Sequence, residues 1–463
     1  MDARSYLYVA LATTINILLN AITFGNYIWL EGRVSRRVFR NWARRYRYQP
    51  RRFVQPTSEA EIIELVWSSK NLRVFGAGHS FNEGVVADDT LVSLDMYRGL
   101  ISKDLEKKQM TVKGGTRIRE ITRALLDDGL AFAALPSHDA QSIGGILSTD
   151  VHGTGRDWGF VSQSVVGLKL IDGRGEVHEC QPEDDLFKAA IGGVGAVGII
   201  SEVTVQAVDR FDLEQEFQMS DLSYIEANLD RILEENDHFS LYLFPFSDVC
   251  QIGTWNRTEK GKSPLGPQRE LLSTSLDALL ATWFGNLGAY MGWLSKMPPR
   301  LYSLKLGTHL VMESHKAHNR TIYPLHQELE FAVPYENTFE ICRHFQRLYE
   351  ELYPQGLPYL LFEVRFTPAG HDRTLIGPGR ERRSTWIDLI CADSTGFEKL
   401  YTATEDVLKE IGARPHLGKW NISFTKEDLH RLHGENFTHF LELVAEHDPE
   451  GKFANAYTRR LFG

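Results

Sequence analysis

The chain has 463 residues, 43% of them hydrophobic and 24% charged, which is too long for one small core and predicts two or three folding units. Its formal net charge of −10 argues against a nucleic-acid partner, because such binding needs a basic surface to displace counterions. The four cysteines, Cys180, Cys250, Cys342 and Cys391, lie far apart with no CxxC pair, so they predict neither a disulfide framework nor a zinc site, no metal is assigned, and a reducing compartment fits.

From Ser5 to Leu30 no residue is charged and most are apolar. A stretch of that length can span a bilayer with some tilt. Thr13, Thr14, Asn16, Asn20 and Asn26 dilute its hydrophobicity. The start MDAR suits a cleaved signal peptide poorly, since that needs a basic start and a shorter apolar run. RVSRRVFRNWARRYRYQPRR follows at once, and the positive-inside rule keeps this arginine cluster, and the bulk of the chain, cytoplasmic. A single N-terminal membrane anchor with a basic flank is therefore expected over residues 1–40. The alternative is a buried or surface-lying helix.

From Phe53 the pattern is α/β. TSEAEIIELVWSS predicts a helix capped by Thr57 or Ser58, with Ile62, Ile63, Leu65 and Val66 inward. LRVFGAG is a short buried strand ending in a glycine turn, and TLVSLDM and QMTVKGG are further strands. RIREITRALLDDG is an amphipathic helix closed by Gly129. LKLIDGRGEVHEC predicts a hairpin around Asp172 and Gly173. DLFKAAIGGVGAVGIISEVTVQAV predicts a helix, a glycine-rich crossing and a strand.

After about Val208 the character changes, and a domain boundary is placed near residue 210. FSLYLFPF alternates like a strand over a cavity. Residues 271–297, nearly uncharged, predict a buried or membrane-resting helix. YLLFEVRFTP is a strand with charges at alternate positions, and WIDLICAD is another. The C-terminal GKFANAYTRRLFG is expected to return to the first domain. The expected units are thus 1–40, 41–210, 211–410 and 411–463.

Four stretches occur in order: FGAGHSFNEG, LPSHDAQSIGGILSTDVHGTG, DLFKAAIGGVGAVGIISEVTV, and RPHLGKWN with DPEGKFANAYTRRLFG. Together they resemble the aldonolactone oxidase and alditol oxidase branch of the vanillyl-alcohol oxidase flavoprotein family, from about Asn41 to the C-terminus. The resemblance implies an α+β chain: a two-subdomain FAD-binding fold with an α+β substrate cap. Glycine loops suit such a cofactor because no Cβ keeps backbone N–H groups from a pyrophosphate. Gly76, Ala77, Gly78, Ser80 and Phe81 would form one cradle. Ser137, Ser142, Gly144, Gly145, Ser148 and Thr149, with the turn His152, Gly153, Thr154 and Gly155, would line the flavin, and Gly195, Gly198 and Ile199 would pass close to it. The loop is not GxGxxG, so a dinucleotide fingerprint is a poor reading. By resemblance His79 carries FAD covalently through the 8α-methyl carbon.

Oxidising a carbinol removes an O–H proton and passes a hydride to flavin N5, so fixed cations and an acid–base group are needed. Glu363 and Arg365 are two apart on a strand and share a face. By resemblance that face looks onto the flavin, and Lys419 adds a cation near it. Without the resemblance, an exposed ion pair and a solvated lysine would serve as well. His416 either orients the Lys419 loop or packs, while His138 and His178 read as loop and hairpin residues. Leu417 stands where the family has tryptophan, which bears on the shape of the pocket wall.

The expected activity is an FAD-dependent oxidation of a CH–OH group in a sugar 1,4-lactone of the D-arabinono or L-gulono class, at C2, with O2 as acceptor giving H2O2. An alditol oxidised at its terminal carbon is the second expectation. A membrane lipid-linked sugar oxidase or dehydrogenase is the third. A flavin-binding protein without chemistry would have lost Glu363, Arg365 and Lys419, and all three are present.

Overall fold

The computed structural model describes residues 3–22, 33–35, 38–288, 293, 309–320, 325–358, 360–392 and 396–463. Local signals act as the sequence predicts. Ser58 caps the helix Glu59–Ser68 by accepting from the Glu61 N–H, and the Glu61 carboxylate reaches back to the Thr57 N–H at 2.7 Å, a reciprocal cap. The helix Ile118–Asp127 stops before Gly129, whose φ of +73° suits glycine. Strand Thr90–Ser93 sits between Arg52–Val54 and Leu72–Phe75 in a parallel sheet.

A second sheet is antiparallel, in the order Val177–Cys180, Val165–Ile171, Ile199–Gln206, Gln109–Lys113, Leu100–Asp104. Its first two strands are the hairpin at Asp172. Helix Asp185–Ala190 leads through glycines 192, 193, 195 and 198 into the central strand Ile199–Gln206.

Among the described residues, the largest sheet has eight strands: His309–Glu313, Asp212–Asp221, Val249–Thr258, His238–Leu243, Leu360–Thr367, Ser384–Ala392, His326–Pro334 and Arg414–Pro415, in that spatial order. Period-two alternation divides its faces. Phe362, Val364, Phe366, Ile387, Leu389, Leu329, Phe331 and Val333 join one buried core with Ile225 and Leu229 of helix Leu222–Glu235, Phe345 and Tyr349 of helix Thr338–Leu352, and Leu400 and Leu408 of helix Phe397–Glu410. The alternate residues Leu361, Glu363, Arg365, Asp388, Ile390, Glu328 and Glu330 line a cleft on the other face. All four cysteines are buried and free.

The expected membrane span is not supported. Ala3–Ile22 is a helix, but among the described residues no helix is long and apolar enough to cross a membrane. Thr13, Thr14, Asn16 and Asn20 interrupt its apolar surface, and Leu19 packs on Leu271 of the helix Gly266–Gly288. Residues 23–30 of the expected anchor lie outside the described residues, as does most of the stretch after Gly288.

Arg73 holds three distant segments together. Its buried guanidinium donates to Gly84 O (2.7 Å), Phe453 O (2.7 Å) and Val194 O (2.6 Å), joining the first glycine loop, the glycine crossing and the C-terminal segment. Burial lowers its pKa to about 10. Arg73→Met keeps much of the volume but removes the donors from three buried carbonyls, at roughly 1–3 kcal/mol each. Urea unfolding of the holoenzyme should show a loss of about 3 kcal/mol or more; an unchanged midpoint would show that these bonds do not hold the segments.

Candidate active site

The glycine loops meet in the cleft. Gly76 through Phe81, Ser137, Ser142, Gly144, Gly145, Ser148, Thr149, His152, Gly195, Gly198 and Ile199 line one side. Two loops touch because Gly76 has no side chain: a Cβ there would lie 1.8 Å from the Ser142 Oγ. Among the described residues, no acceptor meets the backbone N–H of Ala77, Gly78 or Ser80. Buried or half-buried donors without a protein acceptor suit a ligand that brings its own, such as a pyrophosphate. Ser148 and Thr149 hydroxyls bond back to Gly144 O (2.8 Å) and Gly145 O (3.2 Å).

His79 lies in this wall between two rings. Trp42 stacks on it with centroids 5.5 Å apart and 11° between planes, and the His138 ring is 4.3 Å away. His138 is therefore a cleft residue rather than merely a loop residue. Burial, and then His79, hold its pKa well below the ordinary histidine range.

The opposite wall is the polar face of the large sheet. Strand register sets Gln251, Tyr242, Glu363, Asp388 and Glu330 directly opposite one another across five strands. Beside this row lie Arg365, with its guanidinium on Glu330 and 3.7 Å from Asp388, and Lys419, with its ammonium on Glu328, 3.4 Å from Asp388 and 3.6 Å from Glu330. His152 Nε2 is 3.0 Å from Glu330, and His326 Nε2 is 2.9 Å from Glu328. Glu363 stands slightly apart, accepting the Tyr242 hydroxyl at 3.1 Å; Arg320 donates to that hydroxyl at 2.8 Å.

Burial and neighbouring charges shift the carboxyl groups of this wall in different directions. Burial opposes ionisation of Glu330, but Arg365 and Lys419 override it and hold its carboxyl well below the usual range. Glu328 moves the same way, against burial, through Lys419 and His326. Asp388 goes the other way, because burial and then Glu328 push it well above the carboxylate range. Arg365 and Lys419 thus favour the ionised forms of Glu328 and Glu330, whereas burial and Glu328 disfavour that of Asp388. Among the described residues, no hydrogen-bond partner meets two buried atoms of this cluster, Arg365 Nε and Asp388 Oδ1.

The loop that carries Lys419 is fixed from both sides. His416 N–H and Trp420 N–H donate to Glu330 O and Glu328 O, at 2.9 Å each. Phe81 N–H donates to Gly418 O at 2.8 Å, and Asn82 Nδ2 donates to Leu417 O (2.6 Å) and Lys419 O (2.8 Å). His416 does orient this loop: Gly418 N–H donates to its Nδ1 at 3.0 Å, and burial lowers its pKa to about 4. Leu417 is buried and outside the cleft lining.

One expected group lies elsewhere. Gly153, Thr154 and Gly155 do not line the cleft. Gly153 N–H bonds Gly159 O at 2.7 Å, Gly155 N–H bonds Phe366 O at 3.1 Å, and the Thr154 hydroxyl donates to Phe239 O. The turn fastens the cofactor side to two strands of the large sheet because open strand-end carbonyls there accept its donors. Sequence reasoning missed Glu328, Glu330 and Asp388. The same cue that marked FEVRF, charges at alternate strand positions, was present in QELEF.

The raised pKa of Asp388 has a measurable consequence. A carboxyl whose folded pKa is raised contributes stability fully below its unfolded pKa of about 3.9, and that contribution is lost as pH rises toward the folded value. Asp388→Asn removes this dependence, so its stability relative to wild type should rise between pH 4 and 8. Glu330→Gln leaves buried cations unbalanced and should cost about 3–5 kcal/mol. Denaturant midpoints across that pH range check both; a relative stability of Asp388→Asn that falls with pH would show that Asp388 is ionised.

A family model described as D-arabinono-1,4-lactone oxidase matches residues 203–461, and one described as FAD binding domain matches residues 50–181. The L-gulono-1,4-lactone dehydrogenase of Mycobacterium tuberculosis is 26% identical over 432 residues, covering 92% of this chain and 99% of its own. The L-gulonolactone oxidase of Mus musculus is 28% identical over 453 residues, covering 92% and 98%. The D-arabinono-1,4-lactone oxidase of Saccharomyces cerevisiae is 30% identical over 249 residues, covering 52% and 47%. Among solved structures, cholesterol oxidase from B. sterolicum matches with a TM-score of 0.73 over 93% of this chain and 98% of that one, at 15% identity, a likeness of fold alone. With the lactone oxidase model spanning more than half its length behind an FAD-binding segment, the chain belongs to the D-arabinono-1,4-lactone oxidase family and is an FAD-dependent oxidoreductase.

Proposed function

We propose that this chain oxidises the C2 carbinol of a sugar 1,4-lactone of the D-arabinono or L-gulono class, with O2 as the final acceptor giving H2O2. The observation that carries this reading is the polar strand face: Glu363, Asp388 and Arg365 stand on it opposite a glycine-lined wall, with Arg365 Nε and Asp388 Oδ1 unbonded among the described residues. A polyhydroxylated, uncharged ring supplies both an acceptor and a donor for those two atoms.

Gly76 to Phe81 and Ser142 to Thr149 would hold the FAD, with Ser137, His152, Gly198 and Ile199 against it, and His79 as its covalent attachment. Residues 41–210 would be the cofactor domain, 211–410 the substrate cap, and 411–463 the segment returning to the site. Bound FAD supplies the hydride acceptor. Glu363 takes the substrate hydroxyl proton, because its carboxylate lies in the cleft outside the tightest ion pairs. The Arg365 guanidinium stabilises the charge developing on that oxygen. Lys419 places a second positive charge beside it. Asp388 offers its unpartnered Oδ1 to one ring hydroxyl.

A lipid-linked sugar is the second reading, and one observation favours it. Helix Gly266–Gly288 turns Glu270, Ser273, Thr274 and Asp277 to the cleft while Leu265, Leu272 and Leu276 at and along it are exposed. The helix Ala3–Ile22 beside it exposes Tyr6, Leu7, Val9, Ile17, Leu18 and Ile22. An apolar surface at the cleft edge suits a membrane-resting protein whose substrate head enters from the bilayer. Peroxide production with soluble lactones, alditols and detergent-solubilised lipid sugars separates the two readings.

If His79 carries the flavin, acid-denatured wild-type protein retains flavin fluorescence in its gel band and His79→Ala releases it. Flavin in the wild-type supernatant would sink the covalent link while leaving FAD binding intact. Arg365→Ala should load flavin yet slow anaerobic flavin reduction by about a hundredfold or more. Lys419→Ala should cost about as much if the lysine meets the flavin edge, and Glu363→Gln tests the need for a carboxylate. Reduction of loaded Arg365→Ala at the wild-type rate in stopped flow would remove this wall from the chemistry.

A further inference from the structure

Outside the cleft lining, two side chains of one hairpin meet a third from the C-terminal part of the chain. Asp172 sits at the turn of the Val165–Cys180 hairpin, His178 on its second strand, and His447 at the end of helix Glu435–His447. Asp172 is fully buried, His447 almost so, and His178 half-buried. His178 Nε2 lies 3.0 Å from Asp172 Oδ2 and His447 Nδ1 lies 3.5 Å from the same oxygen. All three donor atoms lie within 4.8 Å of one another.

We propose that Asp172, His178 and His447 bind one divalent cation of the zinc class, clamping the C-terminal segment to the hairpin. Two imidazole nitrogens and one carboxylate oxygen are a donor set such ions prefer. Metal–ligand bonds of about 2.0–2.1 Å in a tetrahedron put neighbouring donors about 3.3 Å apart, close to the two separations here. A water reaching the half-buried edge at His178 would be the fourth ligand.

Two further features support the site. His447 Nδ1 is buried and, among the described residues, has no hydrogen-bond partner, an unfavourable arrangement unless something meets that nitrogen. The carboxylate is already oriented: Asp172 Oδ1 accepts the N–H groups of Arg174 and Glu176, at 2.9 Å each, leaving Oδ2 to face the imidazoles. The helix end is fixed against the turn as well. Gly173 N–H donates to His447 O at 2.7 Å, and a Cβ on Gly173 would lie 2.5 Å from Asp448 Oδ1. Asp448 is not a ligand, since its two oxygens cap Lys452 N–H and Phe453 N–H. The clamp therefore acts on the segment whose Phe453 carbonyl holds Arg73.

The test uses full-length holoenzyme stripped with EDTA and titrated with Zn2+ alone by calorimetry, alongside His178→Gln and His447→Gln. Wild type should take up one equivalent with a raised melting temperature, reversed by EDTA. Each variant should weaken that uptake by at least about tenfold and lose the thermal shift, with flavin content unchanged. His178→Gln changes a half-buried side chain, so it serves if His447→Gln fails to fold. No saturable Zn2+ uptake by wild type, or equal uptake by wild type and His178→Gln, would overturn the site.

Discussion

Two cations buried against three carboxyl groups hold the centre of this molecule. Arg365 and Lys419 could not stay charged in that position alone, since burial of an unpaired ion costs several kcal/mol. Glu328 and Glu330 supply the counter-charge, while burial and then the Glu328 charge raise the pKa of Asp388 well above the carboxylate range. The cluster joins strands His326–Pro334, Leu360–Thr367 and Ser384–Ala392, the Lys419 loop and, through His152, the second glycine loop. It therefore fixes where the two walls of the cleft stand relative to each other.

The two walls work by different chemistry. The glycine wall offers main-chain groups, made accessible by missing side chains; Gly76 against Ser142 is the clearest case. The strand wall offers side chains, ranked by sheet register into one row. A backbone cradle suits a ligand recognised by its phosphates, which are alike in every nucleotide. A row of charged and neutral polar groups suits a ligand recognised by the positions of its hydroxyls. Cofactor recognition and substrate recognition are thus separable in this fold, and Asn82 couples them by bonding the first glycine loop to the Lys419 loop.

The N-terminal helix illustrates how a local pattern is overruled. Its uncharged run is real, yet Thr13, Thr14, Asn16 and Asn20 lower its apolarity, and one side packs against the helix Gly266–Gly288. Only that side is withdrawn from solvent; Tyr6, Leu7, Ile17 and Leu18 stay exposed.

By itself the sequence determined whatever depends on short-range geometry. Thr57, Ser58 and Glu61 marked a helix start, Gly129 a helix end, Asp172 and Gly173 a hairpin, and the alternation in FEVRF a strand with Glu363 and Arg365 on one face. The order of four glycine- and histidine-bearing motifs was enough to point to the family. Tertiary structure alone decided the charge partners. Glu330 meets Arg365 and His152 only because antiparallel register sets Glu330 opposite Asp388, and Asp388 opposite Glu363. It also took Gly153 to Gly155 away from the cleft and brought His138 to His79. Caps, turns and periodicity are written within a few residues, whereas pairing across strands depends on sheet order, which no local stretch contains.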